Sequence, residues 1–275
     1  MVDDVTPVGA AAPAGGAVSG AAGSRVPALE LAVQDVAGVD VAASVGARRV
    51  ELCAALGATG GMTPGPGLLA AAVERAGVPS SDGVEVHVLV RPRPGGFVLV
   101  DGELDVQVRE VAAARAAGAH GVVVGASRPD GTVDAAALRE LAAAADGLEV
   151  TFHRAFDQLA DPFAALDVLA GLGVARVLTS GGAARCADGV ERLAACVAHT
   201  RDALGGAVQV MAGGGVRVAD VPGLVAAGVD AVHLSAKRVV SDDGGPGGGG
   251  DSGYEVTDPE VAAAAAEALR ATLWT

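Results

Sequence analysis

Strand-like segments alternate with helix-like segments along most of this sequence, and this alternation restricts the possible folds more than any other feature. Eight such strands are predicted, at residues 28–33, 49–53, 84–91, 121–125, 149–153, 176–180, 208–211 and 231–235. Eight strands that are each followed by a helix are typical of a (β/α)₈ barrel, in which parallel strands close into a ring inside a ring of helices. We therefore predict an α/β fold with a single TIM-barrel domain.

Within the strands, apolar and polar residues alternate. Val150 and Phe152 point to one face of their strand, whereas Thr151 and His153 point to the other. Because helices cover the apolar outer face of such a barrel, the polar face turns inward. The residues predicted to enter the lumen by this parity are Glu30, Glu51, His87, His153 and His233.

An unpaired charge inside a barrel is costly, so these side chains need partners. We expect a network of carboxylates, imidazoles and arginines. A histidine beside a buried carboxylate is suited to proton transfer, which makes the five residues candidates for acid–base catalysis or ligand binding. The alternative is a purely structural ion network that fills the barrel.

Polar groups and glycines also collect where the predicted strands end. In barrel enzymes this end holds the active site, and the loops after strands seven and eight often bind an anion through backbone N–H groups. Glycine lets the backbone approach a ligand closely, although tight turns also require it. The predicted anion-binding residues are Arg91, Arg154, Ser180, Gly181, Gly182, Gly213, Gly214, Gly215, Ser235 and Lys237. The alternative is that Arg91 and Arg154 only neutralise Glu30 and Glu51.

The charge balance excludes some classes of partner. The formal net charge is −14, from 33 acidic and 19 basic residues, which disfavours a nucleic-acid surface. No apolar run approaches the ~20 residues that cross a bilayer. The first residues, M-V-D-D, lack the basic start of a signal peptide, so we expect a cytoplasmic protein.

Two segments are predicted to lie outside the regular fold. Residues 1–27 are rich in Ala, Gly and Pro without periodicity, which indicates a disordered tail. Residues 28–275 form the barrel domain, with a glycine-rich insertion at 241–253. A second glycine-rich stretch, at 57–67, is predicted to be a long and functional loop.

The three cysteines do not indicate a disulfide framework or a structural zinc site, because they are an odd number without a CxxC spacing. Cys186 and Cys196 are predicted to lie in one helix, about 15 Å apart along its axis, so they cannot share a metal ion. We interpret both as small buried apolar residues.

Seven short segments carry a family resemblance. They are R-V-E-L-C-A-A-L at 49–56, T-G-G-M-T-P at 59–64, V-H-V-L-V-R-P-R at 86–93, V-T-F-H-R-A-F-D at 150–157, L-T-S-G-G at 178–182, G-G-G-V at 213–216 and H-L-S at 233–235. In this order they resemble the CutC family of copper homeostasis proteins. The resemblance implies a cytoplasmic single-domain barrel that forms a homodimer or a higher homo-oligomer and handles copper. It implies that Cys53 is the cysteine that binds copper. This chain departs from the family pattern at two places: Ala32 stands where the family has a second cysteine, and residues 94–96 stand where it has an acidic residue.

Two functional hypotheses follow. In the first, the protein binds Cu(I), which prefers soft sulfur ligands, at Cys53 with Met62 or Met211 in support; a single inward thiol implies weak binding. In the second, the barrel is an isomerase, aldolase or lyase that acts on a small anionic metabolite. A Schiff-base mechanism would require Lys237 to turn inward.

Overall fold

A closed parallel barrel forms the centre of the computed structural model, which describes residues 27–77, 83–242 and 253–272. The strands follow one another around the ring in chain order, and β1 closes it by pairing with β8. They are β1 Ala28–Val33, β2 Arg49–Leu52, β3 Glu85–Leu89, β4 Gly121–Val124, β5 Glu149–Phe152, β6 Arg176–Thr179, β7 Gln209–Ala212 and β8 Ala231–Leu234. The predicted fold is confirmed.

Helices cover the outside of this ring in the described part of the chain. They are α1 Val36–Val45, α2 Leu56–Thr59, α3 Pro66–Ala76, α4 Glu103–Ala116, α5 Ala135–Ala145, α6 Pro162–Gly171, α7 Val190–Asp202, α8 Val221–Ala226 and α9 Pro259–Ala271. Local chemistry sets their ends: Asp35 accepts a hydrogen bond from the Gly38 N–H at the start of α1, and Gly46 ends that helix with φ of 73°. None of the described helices is long and apolar enough to cross a membrane.

The main hydrophobic core fills the space between the strands and the helices. Leu31, Leu52, Val122 and Phe152 point outward from the strands and are fully buried there. With aromatic residues at only 2% of the sequence, this core consists mainly of Val, Leu and Ala. Because the outward positions are apolar, the opposite positions on each strand face the lumen and are available for polar residues.

Three local features differ from the predictions. The stretch at 57–67 is not entirely a loop, since α2 and a bridge between Ala54 and Met62 lie in or beside it. Cys186 lies in a separate 3₁₀ turn before α7, not in one helix with Cys196. After β8 the chain forms a second, antiparallel sheet of β9 Lys237–Val240 and β10 Tyr254–Thr257. The predicted tail at 1–27 and the insertion at 241–253 lie almost entirely outside the described residues.

Candidate functional site

A cavity of about 240 Å³ opens at the end of the barrel where the strands finish. Its wall includes three of the five predicted lumen residues and part of the predicted anion set. The predicted site residues that line it are Glu51, Arg91, His153, Arg154, Gly214, Gly215, His233 and Ser235. This end is also where TIM-barrel enzymes carry their active sites.

A relay of carboxylates around an imidazole extends inward from the cavity. Glu30 is buried and accepts a hydrogen bond from Arg49 Nε at 2.8 Å, and its other oxygen lies 2.8 Å from His233 Nδ1. The other ring nitrogen, His233 Nε2, lies 3.7 Å from Glu51 Oε2. His233 therefore connects a deep carboxylate with one that faces the cavity.

Opposing influences set the protonation of this relay. Burial favours the neutral acid at Glu30, but the His233 hydrogen bond and the charge of Arg49 outweigh it and hold the pKa of Glu30 well below its usual range. Burial alone would lower the pKa of His233, yet its hydrogen bond to Glu30 and the nearby charge of Glu51 raise it. We therefore describe Glu30 and His233 as a buried carboxylate–imidazolium pair.

The Cys53 thiol, just after the end of β2, contacts the side chain of Glu51 within that strand. Cys53 is fully buried beside Leu89 and Val123, and its Sγ donates to Glu51 Oε2 at 3.4 Å. Burial raises the pKa of Glu51, and burial together with the Glu51 charge raises the pKa of the Cys53 thiol. The thiol is therefore protonated unless a ligand replaces its proton.

His153 lines the cavity as a neutral ring. The Ala155 N–H donates to its Nδ1 at 3.1 Å, which leaves the proton on Nε2. Burial and the charge of Arg91 lower the pKa of His153 to about 3. The ring lies against Gly125, where a Cβ would approach its Cε1 to 2.3 Å. His153 can therefore donate a hydrogen bond to a ligand without carrying a charge.

All five predicted lumen residues are buried, which confirms the inward parity. Direct contacts join only part of the predicted network. Only Glu30, Glu51 and His233 lie together, whereas His153 bonds to its own loop and His87 Nε2 faces Glu85 and Glu149 near the opposite end of the strands. The lumen therefore contains separate polar groups at different depths.

The arginines that neutralise this interior are Arg49 and Arg176, which the sequence analysis did not select. Arg49 bonds to Glu30, while Arg176 is 2% exposed and donates to Glu149, Thr151 and Gln209. The sequence does indicate their inward orientation, because the alternation of side chains along β2 and β6 turns both arginines toward the lumen. The same reasoning that identified Glu51 would have found them.

The alternative roles predicted for Arg91 and Arg154 are not what the structure shows. Arg91 donates to the carbonyls of Thr59, Gly61 and Gly95 and so joins two loops at the cavity rim. Arg154 bonds to Asp157 and Ser180. Neither arginine therefore neutralises Glu30 or Glu51.

The glycine loop after β6 lies close to the cavity, but its N–H groups are already used. Asp157 accepts hydrogen bonds from the N–H groups of Ser180 and Gly182, and Gly181 donates to the Thr179 hydroxyl. The N–H of Gly213 donates to the Thr179 carbonyl. The predicted contribution of these four residues to an anion site is therefore corrected: an internal carboxylate and strand contacts occupy their donors.

The loop after β7 has backbone N–H groups that are available to the cavity. Gly214 and Gly215 have φ of 108° and 65°, which glycine adopts without strain. In the described part of the chain, neither N–H has a hydrogen-bond partner. The Arg154 guanidinium lies directly against Gly214, where a Cβ would be 2.8 Å from its Cζ. An anion could therefore bind to Gly214, Gly215 and Arg154.

Lys237 lies outside this site. It is the single lysine of the sequence, its side chain is about half exposed, and it pairs with Glu255 of the second sheet. The predicted role of Lys237 at the anion site is therefore wrong. The inward lysine that a Schiff-base mechanism would require is not present in the cavity.

Comparison with known proteins identifies the family of the chain. The model of the CutC family matches residues 27–238, which include the whole barrel and every residue of the site. The chain belongs to the CutC family.

CutC relatives match over most of their own length. A CutC family protein from Agrobacterium fabrum is 43% identical over 212 residues, 77% of this chain and 80% of that protein. One from Caulobacter vibrioides is 40% identical and covers 88% and 96%. A crystal structure of CutC from Streptococcus agalactiae, a proposed copper homeostasis protein, is 27% identical, has a TM-score of 0.69 and covers 76% of this chain and 98% of that one.

An enzyme is also similar in structure. An aldolase named QR15 has a TM-score of 0.54 at 16% identity and covers 75% of this chain and 89% of its own. At this identity the likeness shows the barrel fold alone.

The CutC resemblance places a second cysteine at position 32, and the structure shows what its absence changes. Ala32 is buried, lines the cavity and is the register partner of Glu51. A cysteine there would add a second sulfur to the wall on which Glu51 and His233 meet. This chain has one thiol beside that wall, Cys53.

Proposed function

We propose that this protein acts in copper homeostasis and holds Cu(I) at Cys53. Membership of the CutC family supports the role, since the solved relative from Streptococcus agalactiae is described as a proposed copper homeostasis protein. The observation that carries the site is that a thiol and an imidazole converge on one carboxylate oxygen. Cys53 Sγ and His233 Nε2 lie 3.4 and 3.7 Å from Glu51 Oε2.

The chemistry of these groups suits a soft cation bound with modest strength. Thiolate is the preferred ligand of Cu(I), and imidazole also binds copper. The protons of the Cys53 thiol and of His233 Nε2 must both leave when the metal binds, and Glu51, which lies near both groups, is the carboxylate placed to accept one of them. Because the raised pKa of the thiol opposes this step, binding is expected to strengthen with rising pH.

Copper affinity is expected to depend on Cys53 alone among the three cysteines. Replacement of Cys53 by serine should weaken Cu(I) binding at least about 100-fold, equivalent to about 2.7 kcal/mol, because it removes the one thiol beside the cavity. Competition titration against a Cu(I) chelator under reducing conditions measures this change.

Two other cysteines provide matched controls. Cys186 and Cys196 are fully buried in the packing outside the barrel, and burial raises the pKa of their thiols to about 12 and about 11. Cys186→Ser and Cys196→Ser should leave the affinity unchanged. An equal loss in all three variants would refute a site at Cys53.

A second candidate function is proton transfer on a small anionic metabolite, of the isomerase, aldolase or lyase type. The observation that favours it is the Glu30–His233–Glu51 relay beside the unbonded N–H groups of Gly214 and Gly215. In such a reaction Glu51 would exchange a proton with the substrate, and His233 would stabilise the negative charge of Glu51. The N–H groups and Arg154 would bind the anionic group.

Anions test this second candidate. Phosphate, sulfate and small carboxylates should raise the melting temperature of the wild-type protein in a saturable way, because they bind the folded state. Gly214→Val should abolish the shift, since its Cβ would displace Arg154. Gly223→Val is the control, at an exposed site in α8 with no atom near its Cβ. The absence of a shift with every anion would exclude an anion site and leave the relay as a structural network.

A further inference from the structure

Polar side chains from β3 and β5 meet inside the barrel across a glycine of β4. The strand register aligns His87 with Gly121 and Gly121 with Glu149, so the imidazole and the carboxylate flank a position without a side chain. A Cβ on Gly121 would lie 2.4 Å from His87 Cε1 and 2.8 Å from the Glu149 carbonyl oxygen. Glu85 lies two residues before His87, on the same face of β3. The glycine therefore makes room for three polar groups to approach one another.

His87 is the unusual member of this group. Its side chain is fully buried, and in the described part of the chain neither ring nitrogen has a hydrogen-bond partner. Buried polar atoms in folded proteins are nearly always bonded to protein, to water or to an ion. An imidazole without a partner inside a barrel therefore indicates that something else binds there.

The spacing around His87 fits a bound ion. Nε2 lies 3.9 Å from Glu85 Oε2 and 4.0 Å from Glu149 Oε2, and the three atoms all lie within 4.8 Å of one another. These separations are too long for direct hydrogen bonds. Two ligands that each lie ~2.0–2.2 Å from one ion can be up to ~4.4 Å apart, so a small shift would close the set around a metal.

We propose that Glu85, His87 and Glu149 bind a divalent transition-metal ion of the Zn²⁺ class at the N-terminal end of the barrel. One imidazole nitrogen and two carboxylate oxygens suit such an ion, whereas Cu(I) prefers sulfur. Nε2 of His87 has no hydrogen-bond partner in the described part of the chain and lies near both carboxylates. The half-exposed Glu149 provides the route from solvent.

Two arginines hold the carboxylates in position. Arg48 pairs with Glu85 through Oε1 at 2.6 Å, which leaves Oε2 directed at His87. Arg176 donates to Glu149 Oε2 itself at 3.0 Å and is fixed by Thr151 and Gln209, so this oxygen would be shared between the guanidinium and the ion. Such outer contacts orient metal ligands. The arginine charges also lower the affinity for a cation, so we expect a reversible ion rather than a permanently bound one.

The position suggests a structural role for this ion. Glu85 and Glu149 are the first residues of β3 and β5, at the opposite end of the strands from the cavity. That end of a TIM barrel usually serves stability, while chemistry occurs where the strands finish. An ion here would join β3 to β5 and stabilise the folded state by binding it.

Zinc titration of the full-length chain tests the site. We expect saturable binding of one Zn²⁺ in competition with a fluorescent chelator, and a rise in melting temperature with zinc concentration. Glu149→Gln and Glu85→Gln should each weaken binding at least about tenfold, because each removes a charged ligand. Glu255→Gln is the matched control, since Glu255 pairs with Lys237 far from this cluster in the fold.

Cobalt substitution distinguishes this site from the cysteine. Co²⁺ bound by imidazole and carboxylates should show no thiolate charge-transfer band, and Cys53→Ser should leave its spectrum and affinity unchanged. A thiolate band that disappears in Cys53→Ser would place the ion elsewhere and overturn the proposal. So would equal zinc affinity in the wild type and both glutamate variants, or no saturable binding, in which case a water molecule is the partner of His87.

Discussion

Replacement of Arg49 by methionine is expected to destabilise the barrel by about 3–5 kcal/mol, because it removes one of the two cations that pair with the buried Glu30 carboxylate and leaves only His233. Arg49 and Glu30 have side chains that are 5% and 1% exposed and are joined at 2.8 Å. The variant keeps the apolar length of the side chain but removes the guanidinium. Urea denaturation at pH 7, with the wild type measured in parallel, gives the difference in the free energy of unfolding.

Two further variants show whether the loss comes from the missing partner of the Glu30 carboxylate. The double variant Arg49→Met, Glu30→Gln removes both charges and should recover part of the stability. Arg75→Met breaks the pair between Arg75 and Asp40, whose side chains are 57% and 45% exposed respectively, and should cost far less stability than Arg49→Met. Equal losses for Arg49→Met and Arg75→Met would contradict the buried ion pair.

Acid is expected to remove stability through His153. Its pKa falls from 6.5 to about 3 on folding, so the unfolded chain binds a proton in this interval that the folded protein does not. The contribution of His153 is therefore complete above pH 6.5 and is lost progressively as the pH falls towards 3. At pH 4.5 the loss amounts to about 3 kcal/mol, at about 1.4 kcal/mol for each pH unit.

His153→Asn isolates this effect from the other titrating groups. Asparagine places an acceptor near the position of Nδ1 for the Ala155 N–H but does not titrate. The variant is less stable than the wild type at pH 8, because it fills less space. The difference should narrow, or reverse in sign, between pH 8 and pH 4.5 when both proteins are unfolded by urea. A difference that stays constant over this range would show that His153 is protonated as easily in the folded state as in the unfolded one.

The sequence alone was sufficient for the fold and for the inward direction of the polar residues. Alternation of apolar and polar residues within short strands places Glu30, Glu51 and His233 inside the ring, because a strand allows only two side-chain directions. Arg49 and Arg176 were accessible to the same argument, because they occupy the first, inward-facing positions of β2 and β6. Parity applies to every residue of a strand, including the first.

The sequence could not predict which backbone N–H groups of the glycine-rich loops would already be hydrogen-bonded. Ser180 and Gly182 follow a strand, as Gly214 does. The residue types alone do not show whether the N–H groups of such a loop are available to a ligand or already bonded within the protein. The difference is Asp157, a residue 23 positions before Ser180 that reaches the loop after β6 only in the folded chain. Lys237 was similarly ambiguous, because its direction depends on the second sheet formed with residues 254–257.

The central claim is that the end of the barrel where the strands finish holds copper at Cys53. Anomalous diffraction at the copper absorption edge, from crystals of the reduced protein loaded with one equivalent of Cu(I), tests it most directly. We expect one strong peak beside Cys53 Sγ, on the wall formed by Glu51 and His233, and no such peak in Cys53→Ser. Copper at Cys186, at Cys196 or only at the Glu85, His87 and Glu149 cluster would contradict the claim.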